Sequence, residues 1–429
     1  MSVDQGDSVQ PLLGSDRDND SSSEFGAAKA TPNKFRGLAR LTGCGVAAFS
    51  LGWHDGCIGP LIPYLQAYYG GINDRTVSLI FIGSFIGYIA ASLLNVTLST
   101  RIGLGRLIVL GAATQGIASA IIAFQAPFAI IVVCYTMAGF GLAFQDAQFN
   151  VYVARLPNAS TKLGFVHAIY GFGAMASPIA ATLLMQARIP PPLFYFTNFT
   201  WCVASVTVLL TGFGFSGSSS LEREAGSTVE GEERVAVLKT VVSSPVVWRA
   251  LLFVCLYTGV ETGEAGWVVS FLMRERNGGV ISGYASSAFY GGLTSSRIIL
   301  LPLTSLLTEK RAVSLYAMAA LAMQVVVWTT PSFLVDFIAI AACGFVMGPV
   351  YPTTVSLVTK ATPRGYHPGA ISLMACVSAA GSAVFPFVVG SLAESHGIIV
   401  LQPLLVTILA VMFLVWQLVA SPKPPSQRS

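Results

Sequence analysis

Charge is what this sequence has least of. Asp, Glu, Lys and Arg together make up 10% of its 429 residues, against roughly 25% in a soluble domain, and that shortage excludes an ordinary water-soluble globule. Cysteine is present seven times but always inside apolar runs, with no CxxC pair and no Cys/His cluster. A zinc site and a disulfide framework are thereby excluded, leaving thiols that pack as small apolar groups. No GxxxxGK[ST] phosphate loop occurs, so nucleotide-driven pumping lacks its site. No nucleophile–base set stands out either, so an enzyme is not expected, nor a cofactor, a bound metal or a nucleic-acid partner. The first residues, polar and rich in Ser, Asp and Gly, lack the apolar core of a cleavable signal and read as a disordered tail.

What is there is hydrophobic: 54% of residues, with a mean hydropathy of +0.69. Twelve apolar segments, each near the ~20 residues a bilayer requires, fall at 38–68, 77–98, 105–125, 127–154, 162–187, 193–215, 246–272, 282–306, 312–330, 332–359, 366–393 and 398–419. The polar stretch Ser216–Pro245 bisects them. The expected plan is an all-α membrane protein of twelve transmembrane helices in two six-helix, pseudo-symmetric halves. Its parts are a tail (1–35), an N-terminal half (36–215), a linker (216–245), a C-terminal half (246–420) and a short C-terminal tail (421–429). Faint internal similarity agrees: Gly173 and Pro178 recur as Gly381 and Pro386, and Gly139-Phe140 as Gly344-Phe345. Such repeats suit a transporter whose site lies between its halves near the midplane.

Loop charge sets the orientation. Of the 24 Lys and Arg, only Arg75, Arg188, Arg274 and Arg276 fall on the face away from the termini, and Arg297 lies within a span. The positive-inside rule then puts both termini in the cytoplasm. A multi-pass protein of the plasma or vacuolar membrane is expected, as a monomer, with the bilayer, a small solute and protons as its partners.

Ionisable residues inside spans are costly and face a bundle interior or a wet cavity. Asp55 lies in Gly52-Trp53-His54-Asp55-Gly56, where glycines and prolines break an apolar run; irregular backbone at such depth is tolerated only under protein or around a cavity. Asp146 sits beside Gln145, with Asn150 one turn on. Glu261 and Glu264 are a turn apart among glycines, where two carboxylates on one face could share a proton. Arg297 needs an anion or carbonyls nearby, either as a gate or in a salt bridge to one of those glutamates.

Three stretches, Asp146-Ala-Gln-Phe-Asn150, Leu163 to Ala174 (LGFVHAIYGFGA) and Tyr257-Thr-Gly-Val-Glu261 followed by Trp267, resemble the fucose-permease-like branch of sugar–proton symporters in the major facilitator superfamily, with its fungal relatives. The resemblance spans roughly Leu41 to Val419. It implies proton coupling at Asp146 and Glu261, and at Asp55 with less support, since the family's acid on span one matches Gly59. It also implies a substrate site at Asn150, His167 and Tyr170, with Trp267 either stacking on a sugar ring or anchoring at the interface, and with Gln145 beside them. The family's residue types differ at His167 and Tyr170, which bears on the solute. The function expected is proton-coupled import of a hexose-like solute by alternating access. A proton-antiporting exporter of drugs or secondary metabolites suits the same acids, and a non-transporting membrane sensor is the lesser alternative.

Overall fold

The structure, a computed structural model, describes residues 34–214, 245–361 and 367–419. The expected tails and the linker 216–245 therefore lie almost wholly outside the described residues. In hydrocarbon each backbone polar group must be paired within the chain, which helices accomplish segment by segment. The described residues accordingly form fifteen α-helices and no strand.

The N-terminal half holds α1 (Lys34–Tyr68), the short α2 (Asp74–Val77), α3 (Leu79–Ile102), α4 (Leu104–Ala123), α5 (Phe128–Ala154), α6 (Ala159–Gln186) and α7 (Tyr195–Phe213). The C-terminal half holds α8 (Pro245–Glu275), α9 (Gly283–Ile299), α10 (Leu301–Leu306), α11 (Glu309–Thr329), α12 (Phe333–Met347), α13 (Val350–Ala361), α14 (His367–His396) and α15 (Leu401–Leu418). Two spans are interrupted. The eighth breaks between α9 and α10, just before Pro302; the tenth breaks at Gly348-Pro349, between α12 and α13. Pro352 sits in the first turn of α13, where its missing N–H costs nothing.

Twelve membrane-spanning helices result. Nine stretches among the described residues are long and apolar enough by composition alone. The other three are α1, α8 and the α9–α10 pair, which carry Asp55, Glu261 with Glu264, and Arg297. Their polarity is turned inward, while side chains such as Leu93 and Leu306 are exposed on the outside, as a lipid-facing surface requires.

Each half pairs its helices in the same way. In the first, α1 packs on α6, α3 on α5 and α4 on α7; in the second, α8 packs on α14, α9 on α12 and α11 on α15. The contacts themselves repeat. A β-carbon on Gly87 would run into the Thr136 carbonyl and one on Gly139 into the Ser84 carbonyl. Residues 205 positions later do the same: Gly292 meets the Ala341 carbonyl and Gly344 the Phe289 carbonyl. The echo Gly173/Gly381 is likewise a contact, against the Phe49 and Cys255 carbonyls. Without apolar solvent exclusion to drive helices together, small residues that admit backbone-to-backbone approach supply the packing.

Gly139→Ala and Gly344→Ala should each destabilise the protein by about 1–3 kcal/mol, the usual cost of overpacking, read as thermal unfolding in detergent by size-exclusion. Gly164→Ala, whose β-carbon meets nothing within 4 Å, should leave stability unchanged or slightly raised. Equal stability of all three variants would refute backbone contact as the glue.

Candidate functional site

The site begins with α1 lying against α6. A β-carbon on Gly52 would strike the Tyr170 carbonyl, and one on Gly56 the Ala174 carbonyl. Because these two glycines are a turn apart, α6 can follow α1 closely, and Tyr170 Oη reaches Asp55 Oδ2 at 2.7 Å. The α3–α5 pair repeats the device. Its glycine contacts bring Tyr88 Oη to 3.3 Å from Asp146 Oδ2, while Asn150 donates to Asp146 Oδ1 at 3.0 Å and to the Asp146 carbonyl at 2.9 Å. The i,i+4 relation of Asp146 and Asn150 is thus a direct hydrogen bond.

Across the interface, Glu261 of α8 has Tyr257 one turn before it and Arg297 of α9 as its charged neighbour, while the Tyr257 hydroxyl donates to the Met347 carbonyl at 3.4 Å. Asp55 is electrostatically coupled to both Asp146 and Glu261. Tyr290 of α9 faces Asp55 and Glu261, and Tyr351 of α13 faces Asp146, Glu261 and Arg297. Asp55, Asp146 and Glu261 are each only partly buried. Three carboxyls from both halves therefore lie within one another's field at the contact between the halves, and each has a tyrosine nearby. His167, a turn before Tyr170, is exposed to the same region; it lies under the field of Arg297, with its ring 6.1 Å from that of Phe149.

Other candidates are placed elsewhere. Trp267 is fully buried and donates its indole N–H to the Pro386 carbonyl at 2.8 Å. It wedges α8 against α14 and is neither at an interface with lipid headgroups nor open to a solute. Gln145 is buried between α4 and α5, donating to Gln115 Oε1 at 2.8 Å. Glu261 and Glu264 do not share a site: three residues on a helix leave them about 60° apart, enough to turn Glu264 away from the cavity into the packing of its own half, where Gln324 of α11 donates to it at 3.2 Å. Among the described residues Arg297 forms no ion pair within 4 Å with either glutamate, and its Nε has no hydrogen-bond partner. Its reach to Glu261 is through the field alone. No cluster of His, Cys, Asp and Glu among the described residues could hold a metal.

Sequence reasoning singled out Tyr170 but passed over Tyr88 and Tyr290, whose phenols in apolar spans were the available signal. It also missed a clamp between the halves. Arg274, near the end of α8, forms a two-pronged bond to Asp74 of α2 at 2.8 and 2.9 Å and donates to Gln66 Oε1 of α1 at 2.7 Å. Nearby, Asn73 donates to Glu394 of α14 at 2.7 Å. Asp74 is 8% exposed, and the fork geometry of arginine suits a shared carboxylate. The same end carries the tightest approaches between the halves, Gly59 to the Ala265 carbonyl and Gly283 to Thr182. The two halves are held together at the end away from the termini.

Comparison with known proteins bears on this architecture. A family model described as Major Facilitator Superfamily matches residues 44–334. A curated relative, Bypass of stop codon protein 6 of Saccharomyces cerevisiae, is 25% identical over 412 residues, covering 88% of this chain and 82% of that protein. Among solved structures, the transporter FucP in its outward conformation is similar in fold, with a TM-score of 0.63 and 16% identity over 89% of this chain and 98% of that one. The nucleoside transporter NupG is similar with a TM-score of 0.70 and 11% identity, covering 89% of this chain and 99% of its own length. A D-xylose-proton symporter gives the same score and identity over 90% of this chain and 98% of its own.

Removing the clamp should let its end open. Spin labels at Arg75 and Ser395, both exposed and in opposite halves, are expected to show a longer, broader distance distribution in Arg274→Ala than in the parent protein. An unchanged distribution would mean that the Arg274–Asp74 pair does not hold the halves together.

Proposed function

Since the chain belongs to the major facilitator superfamily, and is therefore a multi-pass membrane transporter of small solutes and not an enzyme, we propose that it couples the movement of a hexose-like sugar to protons by rocking its two halves about the space between them. The observation that carries this reading is the convergence of Asp55, Asp146 and Glu261, from both halves, on one partly accessible space, with Tyr170, Tyr88 and Tyr257 beside them.

The chemistry follows from the hydrogen-bond inventory. An ionised carboxylate only accepts, whereas its acid form also donates. With Asp146 ionised, Tyr88 and the Asn150 amide are both engaged on it. A proton on Asp146 weakens that hold and releases the Asn150 N–H and the Tyr88 hydroxyl to meet the hydroxyls of a sugar. Uptake of a proton and of a polyol thereby favour one another, which is the reciprocity that coupling requires. Across the space, Tyr170 and His167 on α6 supply a phenol and an imidazole. Glu261, with Arg297 in its field, supplies a second titrating group whose charge the arginine balances. Binding at the contact between the halves lets a solute affect their relative position, as alternating access demands.

Import is the direction the family resemblance implies, and the clamp gives the state from which it starts. With both termini in the cytoplasm, as the loop charges lead one to expect, Arg274, Asp74, Asn73 and Glu394 lie on the outer side. The conformation is then one shut toward the outside, and import proceeds by breaking that clamp, loading solute and proton, and closing again.

Uptake of labelled hexoses and deoxyhexoses into proteoliposomes, with and without an inward proton gradient, tests the proposal. Wild type should concentrate at least one of these sugars under the gradient. Asp146→Asn should lower gradient-driven uptake about tenfold or more while still exchanging labelled for unlabelled sugar across the membrane. Failure of folded protein to move any sugar would sink the substrate class; gradient-driven uptake intact in Asp146→Asn would remove the proton from α5.

A further inference from the structure

Glu264 is a carboxylate that the transport reading leaves unused. It is 1% exposed, and the two side chains around it, Gln324 of α11 and Gln402 of α15, are 0% and 1% exposed. Gln324 Nε2 donates to Glu264 Oε2 at 3.2 Å and also to Gln402 Oε1. Left without hydrogen-bond partners are Glu264 Oε1, Gln324 Oε1 and Gln402 Nε2. Three polar side chains from three helices thus meet in a sealed spot, each with one unpaired buried atom. Such atoms are rare because they forfeit the hydration they had in water.

Charge makes the position more demanding. The ion pairs among the described residues join Asp74 to Arg274, Asp336 to Arg276 and Glu309 to Lys360, and none includes Glu264. The charged group acting on it is Asp336 of α12, of like sign and already held by Arg276 at 2.6 Å. The Cys343 thiol of α12 lies within its field, and on α8 itself Glu261 is turned about 60° from it, toward the contact between the halves. A buried carboxylate with no cation is the costly form of this residue, and the neutral acid is the inexpensive one.

A carboxyl followed by two carboxamides can satisfy either form. With Glu264 ionised, Gln324 presents N–H to both neighbours, as the distances show. Turning both amides over exchanges their oxygen and nitrogen. Gln324 Oε1 then accepts from a Glu264 O–H on one side and from the Gln402 N–H on the other, so the row has a donor facing an acceptor at both contacts in either form. A metal ion fits poorly, because hard cations take about six oxygens and this row offers two from the carboxylate and two from the amides.

We propose that Glu264, Gln324 and Gln402 form a proton-binding site inside the C-terminal half, separate from the central cavity, in which the orientation of the two carboxamides registers the proton. Along α8 the site lies between Glu261, which faces the cavity, and Arg274, which makes the clamp. It goes beyond the sugar reading and stands whatever the solute is.

Infrared difference spectra of the full-length protein in proteoliposomes, in H2O and D2O, test this without any transport. Wild type should show a carboxylic-acid C=O band that persists in Asp55→Asn and Asp146→Asn and is lost in Glu264→Gln. Gln324→Leu should shift the band, because it removes the group that accepts the proton's hydrogen bond. Replacing Na+ by choline should leave it in place. No loss in Glu264→Gln would show that Glu264 is ionised and overturn the proposal. A band present only without Na+ would also overturn it, in favour of a metal cation. If Glu264→Gln fails to fold, the Gln324→Leu spectrum decides: a shifted band supports the site and an unmoved one refutes it.

Discussion

The carbonyl of Tyr170 occupies the place where a β-carbon on Gly52 would have to be. Much else depends on that kind of contact. Inside a bilayer the hydrophobic effect does not press one helix on another, so close backbone packing must do so. Glycines at Gly52 and Gly56, at Gly87 and Gly139, and at their counterparts Gly292 and Gly344 allow it. Only with helices this near can a tyrosine on one reach a carboxylate on the next. The polar interior is therefore a consequence of glycine placement as much as of acid placement.

The acids have two kinds of surroundings. Asp55, Asp146 and Glu261 are partly exposed toward the contact between the halves, and Asp55 and Asp146 are each hydrogen-bonded to a phenol that can donate to one form and release the other. Glu264, one turn from Glu261, is shut within its own half among amides. The clamp joins the halves through an exposed Arg274 and a buried Asp74, and α8 runs from it to both glutamates. One helix thereby connects an outer contact, a buried carboxyl and a cavity carboxyl.

Much of this was readable from the chain. Twelve apolar runs with a polar interruption imply a two-half bundle, because bilayer thickness and backbone pairing leave few alternatives. Asp55, Asp146 and Glu261 stood out because a charge at membrane depth needs a special environment, and the structure brings those three together. The echo Gly139/Gly344 proved to be a repeated contact. The misplacements have a shared origin. Trp267 and Gln145 have the chemistry of a binding site, yet each points at a neighbouring helix, and their direction is set by helix rotation, which spacing alone leaves open. Glu264 parted from Glu261 for the same reason. Tyr88 and Tyr290 went unremarked because a tyrosine in an apolar span is ordinary until its hydroxyl is seen beside an acid.

By itself the sequence determined the number of spans, the expected orientation, the division into halves and the family of the fold, since hydropathy and loop charge act locally along the chain. The tertiary structure alone decided which polar groups share a space, which are sealed off, and at which end the halves are clamped. Asp74 and Arg274 are 200 residues apart in the chain, and Asn73 and Glu394 are 321 apart. No local pattern records such pairings, because they exist only once two separately packed halves meet.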